Sequence, residues 1–256
     1  LFEGNVLEGS WGGFSQTGLA ILLTPKNQND SCPLCRVNDV TIRYCKISHV
    51  ASGFWIGNSA SDAGGLSSGG ERYSIHDVII DDIDGKKYSG YGSFLILISN
   101  DPTLKDVKMD HITALSSRVF MNVGIKNHKI QNFTFTNNLI AADEKQISTT
   151  GGGQANCAFH PEKLGPAGVL DNCVESLTFS HNAIICGFGS WPPGNFFPKN
   201  VKAAGLVNGS DLDKFRLCKG KEAGCDGPSK YAAAGTDGKN IGADIDRLEA
   251  AIRGAT

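Results

Sequence analysis

Apolar and polar positions follow one eight-residue pattern that recurs along the chain. Residues 40–47 (VTIRYCKI) alternate apolar with polar, turn through a polar corner, and return to apolar. The pattern comes back at residues 73–80, 107–114, 133–140 and 177–184, and a partial copy opens the chain at residues 2–7. Such alternation predicts two short strands on either side of a tight corner. A longer, more apolar strand is predicted upstream of four copies, at residues 20–23, 54–56, 94–98 and 119–123. With Cys45 as ruler, the copies fall at Asn5, Cys45, Val78, Ile112, Asn138 and Asn182, spaced 40, 33, 34, 26 and 44 residues apart. A propeller blade or leucine-rich repeat holds its period more tightly. A solenoid with a short minimal coil and loops of free length scatters in this way. Six coils stacked ~4.8 Å apart would make a column roughly 25–30 Å tall.

This unit of long strand, loop, short strand, corner and short strand resembles the right-handed parallel β-helix of the pectate-lyase-like superfamily. The resemblance covers residues 1–207, and the tail is similar to the C-terminal ends of uncharacterised secreted bacterial β-helix proteins. It implies an inward asparagine ladder at the corner through Asn5, Asn138 and Asn182, with an apolar stack where Cys45, Val78 and Ile112 interrupt it. It also implies that substrate lies along the long-strand sheet and its flanking loops. Because the chain begins in mid-motif, further coils of the same polypeptide are expected before Leu1. Residues 208–256 lose the pattern and are expected to form an irregular cap. Asp213–Leu217 reads as a last edge strand. Asp244 or Asp246 would cap a short helix that buries Ile245, Leu248 and Ile252.

Composition agrees with an all-β chain rich in turns: 32 of 256 residues are glycine, and helix-period patterns are scarce before the tail. A formal charge of −2 with no basic cluster argues against nucleic acid as partner. No apolar run approaches the ~20 residues of a membrane helix. Eight cysteines suit an oxidising, extracellular setting. Close spacing pairs Cys32 with Cys35, Cys157 with Cys173, and Cys218 with Cys225, although eight cysteines permit about 105 pairings. Cys45 and Cys186 sit in or beside the repeat and read as small buried residues.

The long strands carry no Asp, Glu, Lys or Arg, so candidate chemistry concentrates in loops. Asp82 and Asp84 are candidate calcium ligands beside Lys86 and Lys87, which would contact an acidic sugar or take its proton. The plainer reading of this run is a solvated turn with Gly85 at its tip. Lys26 and Lys126 follow long strands, where a basic catalyst would stand, and also read as surface lysines. Trp55 and Asn122 face outward by strand alternation. Together with Tyr88, Tyr91 and Trp11 they are candidate sugar-binding residues. His76, His111 and His181 occupy corners and read as corner residues. The expectation is an extracellular carbohydrate-active or carbohydrate-binding β-helix, of lyase or hydrolase type, with polysaccharide as partner. The alternative is a non-catalytic secreted or surface solenoid for adhesion or assembly.

Overall fold

Each repeat folds as its alternation predicts, into two short strands joined through a two-residue corner. The computed structural model describes residues 1–13, 18–125, 128–149 and 153–255. The first coil supplies β1 (Phe2–Glu3), β2 (Val6–Ser10) and β3 (Leu19–Leu23). The second supplies β4 (Arg36–Arg43), β5 (Lys46–Val50) and β6 (Ser52–Asn58), and the third β7 (Gly69–His76), β8 (Ile79–Ile83) and β9 (Ser93–Ser99). The fourth supplies β10 (Lys105–Asp110), β11 (Thr113–Ala114) and β12 (Val119–Ile125). The fifth supplies β13 (Gln131–Thr136), β14 (Leu139–Ala141) and β15 (Lys145–Thr149), and the last β16 (Leu177–Ser180) and β17 (Ala183–Ile185).

Every third strand pairs in parallel, giving three sheets and an all-β parallel β-helix. Sheet I runs β1-β4-β7-β10-β13-β16, sheet II β2-β5-β8-β11-β14-β17, and sheet III β3-β6-β9-β12-β15. Register stacks like on like. Ile42, Ile75, Met109, Phe135 and Phe179 form one inward column of sheet I. Ile47, Ile80, Ala114, Ile140 and Ile184 form another on sheet II. Both columns meet Phe54, Leu95 and Met121 of sheet III in a single core. Fully burying one such side chain contributes about 1.5–3 kcal/mol, so the stacked columns supply the main stabilisation.

The corner bears out the ladder and extends it. Asn138 Oδ1 accepts from the Ile112 amide at 2.8 Å, and Asn182 Oδ1 accepts from the Asn138 amide at 3.0 Å. Asn195, in no recognised repeat, adds a rung: its Oδ1 accepts from the Asn182 amide at 3.0 Å. Cys45, Val78 and Ile112 are fully buried, as an apolar stack requires. Asn5, at the first rung, donates to its neighbour Glu3 O at 2.9 Å and also engages the Cys45 thiol.

Three departures from the sequence reading have physical causes. The Gly- and Pro-rich stretch after β15 contains α1 (Pro161–Cys173), broken by a left-handed Gly165. The Cys157–Cys173 disulfide brackets it, and Val169 and Leu170 pack into the core. Residues Asp213–Phe215 form one 3-10 turn where an edge strand was expected. Asp213 O accepts from the Arg216 amide there, and only Leu217 bridges, antiparallel, to Leu206. The irregular tail with its short helix α2 (Ile245–Ile252) lies along the flank of the column rather than across its end. The later strands of sheet II are apolar on both faces: Ile79, Leu139, Ala141, Ala183 and Ile185 point away from the main core and need cover. Leu206, Phe215, Tyr231, Ile241 and Leu248 supply it as a second layer. At the C-terminal end of the core, Trp191 stacks on Phe179 at 5.4 Å.

All three expected disulfides are present, with Cα–Cα distances of 5.3, 5.3 and 5.8 Å, and Cys45 and Cys186 are free. Among the described residues no helix is long and apolar enough to cross a membrane.

Candidate functional site

Passing from sheet I to sheet II within two residues, the chain takes positive φ at the first of them. Gly4, Tyr44, Asp77, His111, Asn137 and His181 hold that position, with φ between 50° and 66°. Gly, Asn, Asp and His tolerate this region, whereas Tyr44 is a bulky exception. Next to them, Arg43, His76, Asp110, Thr136 and Ser180 form the last outward column of sheet I.

The tail crosses these corners. His111 Nδ1 lies 3.1 Å from Gly242 O, and its Nε2 lies 3.3 Å from Asp237 Oδ2. Asn137 donates to Thr236 Oγ1 at 2.9 Å and accepts from the Thr236 amide at 2.8 Å. The Asp244 amide donates to Asp77 Oδ1 at 3.0 Å, while Asp244 caps α2 by accepting from the Arg247 amide at 3.1 Å. Gly242 has φ +89°, and a Cβ there would stand 2.6 Å from Thr113 Oγ1. The close approach of tail to corner therefore depends on glycine.

Between sheet I and the tail opens a cleft of about 700 Å³, walled by Arg43, His76, Asp77, Lys108, Asp110 and Lys239 among others. His76 Nδ1 lies 2.8 Å from Asp77 Oδ2. Burial opposes ionisation of Asp77, yet His76 and the Asp244 amide hold its carboxyl below the usual range. Asp110 accepts from Thr136 and Asn137, both at 2.9 Å, and pairs with Lys108 at 3.3 Å. Arg216 is fully engaged by Asp213, Asp246 and Glu249. The arrangement offers cations paired within the protein, Arg43 with Glu3 at 2.7 Å and Lys239 with Asp237 at 2.9 Å, and an oriented imidazole whose Nε2 is not held by Asp77.

The residues singled out from sequence lie elsewhere. Lys26 pairs with Asp62 at 2.8 Å, and Lys86 with Glu144 at 3.6 Å. Lys126 lies outside the described residues. Lys87 and Tyr88 converge on Asp82, with Nζ at 3.0 Å and the hydroxyl at 2.5 Å. His49 Nδ1 joins them at 2.9 Å. Hydrogen bonds to Tyr88 and Asp82 push the Lys87 ammonium up, away from the range of a base. Burial works against ionisation of Asp82, but Tyr88, His49 and Lys87 outweigh it and hold the carboxyl at about 2. Asp84 Oδ1 accepts from the Lys86 and Lys87 amides at 2.8 and 2.9 Å, closing the turn. All three contacts on Asp82 fall on its Oδ2, and Asp84 closes the turn through Oδ1. Among the described residues the sole three-ligand grouping is Cys218, Glu222 and Cys225, whose sulfurs already form a disulfide.

Trp55 and Asn122 do share one outer column of sheet III, in the order Leu22, Trp55, Ile96, Asn122, Ser148. Tyr91 is exposed near the Asp84 turn. None of these residues lines the cleft. The cleft residues that sequence reasoning missed carried one signal, two corner histidines in successive copies. Asp237 and Lys239 arrive from a segment more than a hundred residues away. Comparison of this chain with protein-family models, curated proteins and solved structures finds no match.

Proposed function

We propose that the protein is an extracellular, carbohydrate-active β-helix of pectate-lyase-like type that takes an acidic polysaccharide into the cleft between sheet I and the tail. One observation carries the reading: the His76–Asp77 pair stands in one cleft with Arg43, Lys108 and Lys239, whose own partners are Glu3, Asp110 and Asp237. Asp77 orients the imidazole through Nδ1, which leaves Nε2 to accept a proton. Arg43 or Lys108 would pair with a uronate carboxylate and acidify the carbon-bound proton beside it. Removing that proton and expelling the glycosidic oxygen leaves an unsaturated sugar end. Three disulfides and the absence of a membrane-length helix among the described residues accord with an extracellular setting.

The test is incubation of the full chain with polygalacturonate, alginate and a neutral glucan, following ultraviolet absorbance of unsaturated ends alongside new reducing ends. Unsaturated product lost in His76→Ala supports the lyase reading. Reducing ends without unsaturation shift it to hydrolysis by the Asp77 and Asp110 carboxylates. Uronate binding without turnover, weakened by Lys108→Ala, reduces the proposal to a binding protein. Neither binding nor turnover refutes it. A second reading, adhesion or assembly, is favoured by the uncharged outer column of sheet III, where Leu22 is exposed and Trp55 half-buried.

A further inference from the structure

A second aromatic feature stands apart from the cleft, at the junction of sheets II and III. Trp11 is 68% exposed, yet it is not a loose side chain. Its ring stacks on Tyr88, with centroids 5.8 Å apart and planes at 27°. The Gly12 amide donates to Tyr88 O at 2.8 Å and fixes the backbone beneath it. Tyr88 is itself buried and pinned, because its hydroxyl donates to Asp82, and the Lys87 ammonium sits 4.7 Å from its ring centre. The indole is therefore held in place before any ligand arrives, which removes most of the ordering cost of stacking.

Gly9, His49 and Asp82 all adopt positive φ near the ends of β2, β5 and β8. Asp82 and Tyr88 engage His49 Nδ1, at 2.9 and 3.2 Å, and the ring remains half exposed, so Nε2 is its outward polar atom. A Cβ at Gly9 would meet nothing within 4 Å. The exposed indole thus stacks on a tyrosine whose hydroxyl and ring also engage two polar groups, the His49 imidazole and the Lys87 ammonium.

We infer that Trp11 forms a second sugar subsite, which stacks the apolar face of a pyranose ring while His49 Nε2 and the Lys87 ammonium bond its hydroxyls. A flat ring with one C–H face and peripheral hydroxyls matches an aromatic plate with polar groups at its edge. Asp82 and Lys87 offset each other in charge, so the subsite accepts neutral and acidic pyranoses alike. The inference rests on the carbohydrate reading above and assigns it a second contact with the chain.

The test uses tetragalacturonate and cellotetraose as probes, with intrinsic fluorescence and saturation-transfer NMR on the full chain. Cellotetraose is expected to perturb emission and to receive saturation through its ring protons. Trp11→Ala should weaken its binding by about tenfold or more, the range for losing an aromatic anchor. Trp11→Phe should retain part of the affinity, and His76→Ala should leave it unchanged. Circular dichroism confirms that each variant is folded. Wild-type affinity for both sugars in Trp11→Ala, with tetragalacturonate still sensitive to Lys108→Ala, overturns the subsite and leaves the cleft standing. No binding of either sugar to the parent chain overturns both.

Discussion

His111 ties the corner column to the tail through Asp237: Nε2 lies 3.3 Å from its carboxylate while Nδ1 faces the Gly242 carbonyl at 3.1 Å. Both oxygens accept and neither donates, so the two bonds coexist only while both ring nitrogens carry hydrogen. His111→Ala should free residues 236–243. Faster hydrogen exchange at the Gly242 and Ala243 amides, with slow exchange kept in β10 and β13, is the expected pattern. A stability loss of about 1–3 kcal/mol in urea should accompany it. Unchanged exchange in the tail would show that the second layer holds without this residue.

Acid should loosen the same region. Burial opposes ionisation of Asp237, but Lys239 and His111 outweigh it and hold the carboxyl at about 2. A folded-state value below the unfolded one means stability present above about pH 4 and lost as pH falls toward about 2. Asp82 shares the direction and the window. Thermal unfolding followed from about pH 5 to about pH 2 should show a falling midpoint, shallower in Asp237→Asn. Because the Asp237 side chain is 37% exposed, its share of the slope should be modest.

The asparagine ladder predicts a graded series. Asn182→Ala removes partners from the buried Asn138 amide and from Phe135 O. It should cost about 2–4 kcal/mol, since orphaned buried groups pay their desolvation in full. Asn5→Ala should cost under about 1 kcal/mol, its side chain bonding to nearby Glu3 O and the Cys45 thiol. Equal losses at the two positions, by chemical denaturation, would deny the ladder its role.

The disulfides should rank by the loop each one closes. Replacing Cys157 and Cys173 together by Ser opens a separation of 16 residues around α1 and should cost about 3 kcal/mol. The Cys32–Cys35 bridge spans three positions and should matter much less. Differential scanning calorimetry of the two double variants decides the order.

How far the chain could be read depended on whether a feature was local. Corner alternation is local, and it located every strand of sheets I and II. Cysteine spacing is local too, and it paired all three bridges. The cover on sheet II left a trace that alternation alone does not interpret. Ile79-Ile80, Leu139-Ile140 and Ala183-Ile184-Ile185 are consecutive apolar runs, as strands buried on both faces must be. The cleft is not local. His76 and Asp77 acquire their setting only when Asp244, 167 residues further along, donates to Asp77. Asn195 hid because its rung follows a Pro- and Gly-rich loop without the flanking alternation. Helix α1 hid because glycine and proline carry poor helix propensity, and tertiary packing with a disulfide overrode it.

The return of the tail changes what kind of repeat protein this is. An ordinary solenoid is modular: each coil touches only its neighbours, and coils are gained or lost with little effect beyond the junction. Here α2 reaches the first coil, and a Cβ on Gly4 would sit 2.8 Å from Ala251 O. The segment that begins beside the last corners ends beside the first, like a splint cut to length. Adding or deleting a coil would put Thr236, Gly242 and Asp244 opposite the wrong corners. The number of coils between the corners of Gly4 and Asn137 is therefore not free to drift, a constraint that stacking alone would not impose.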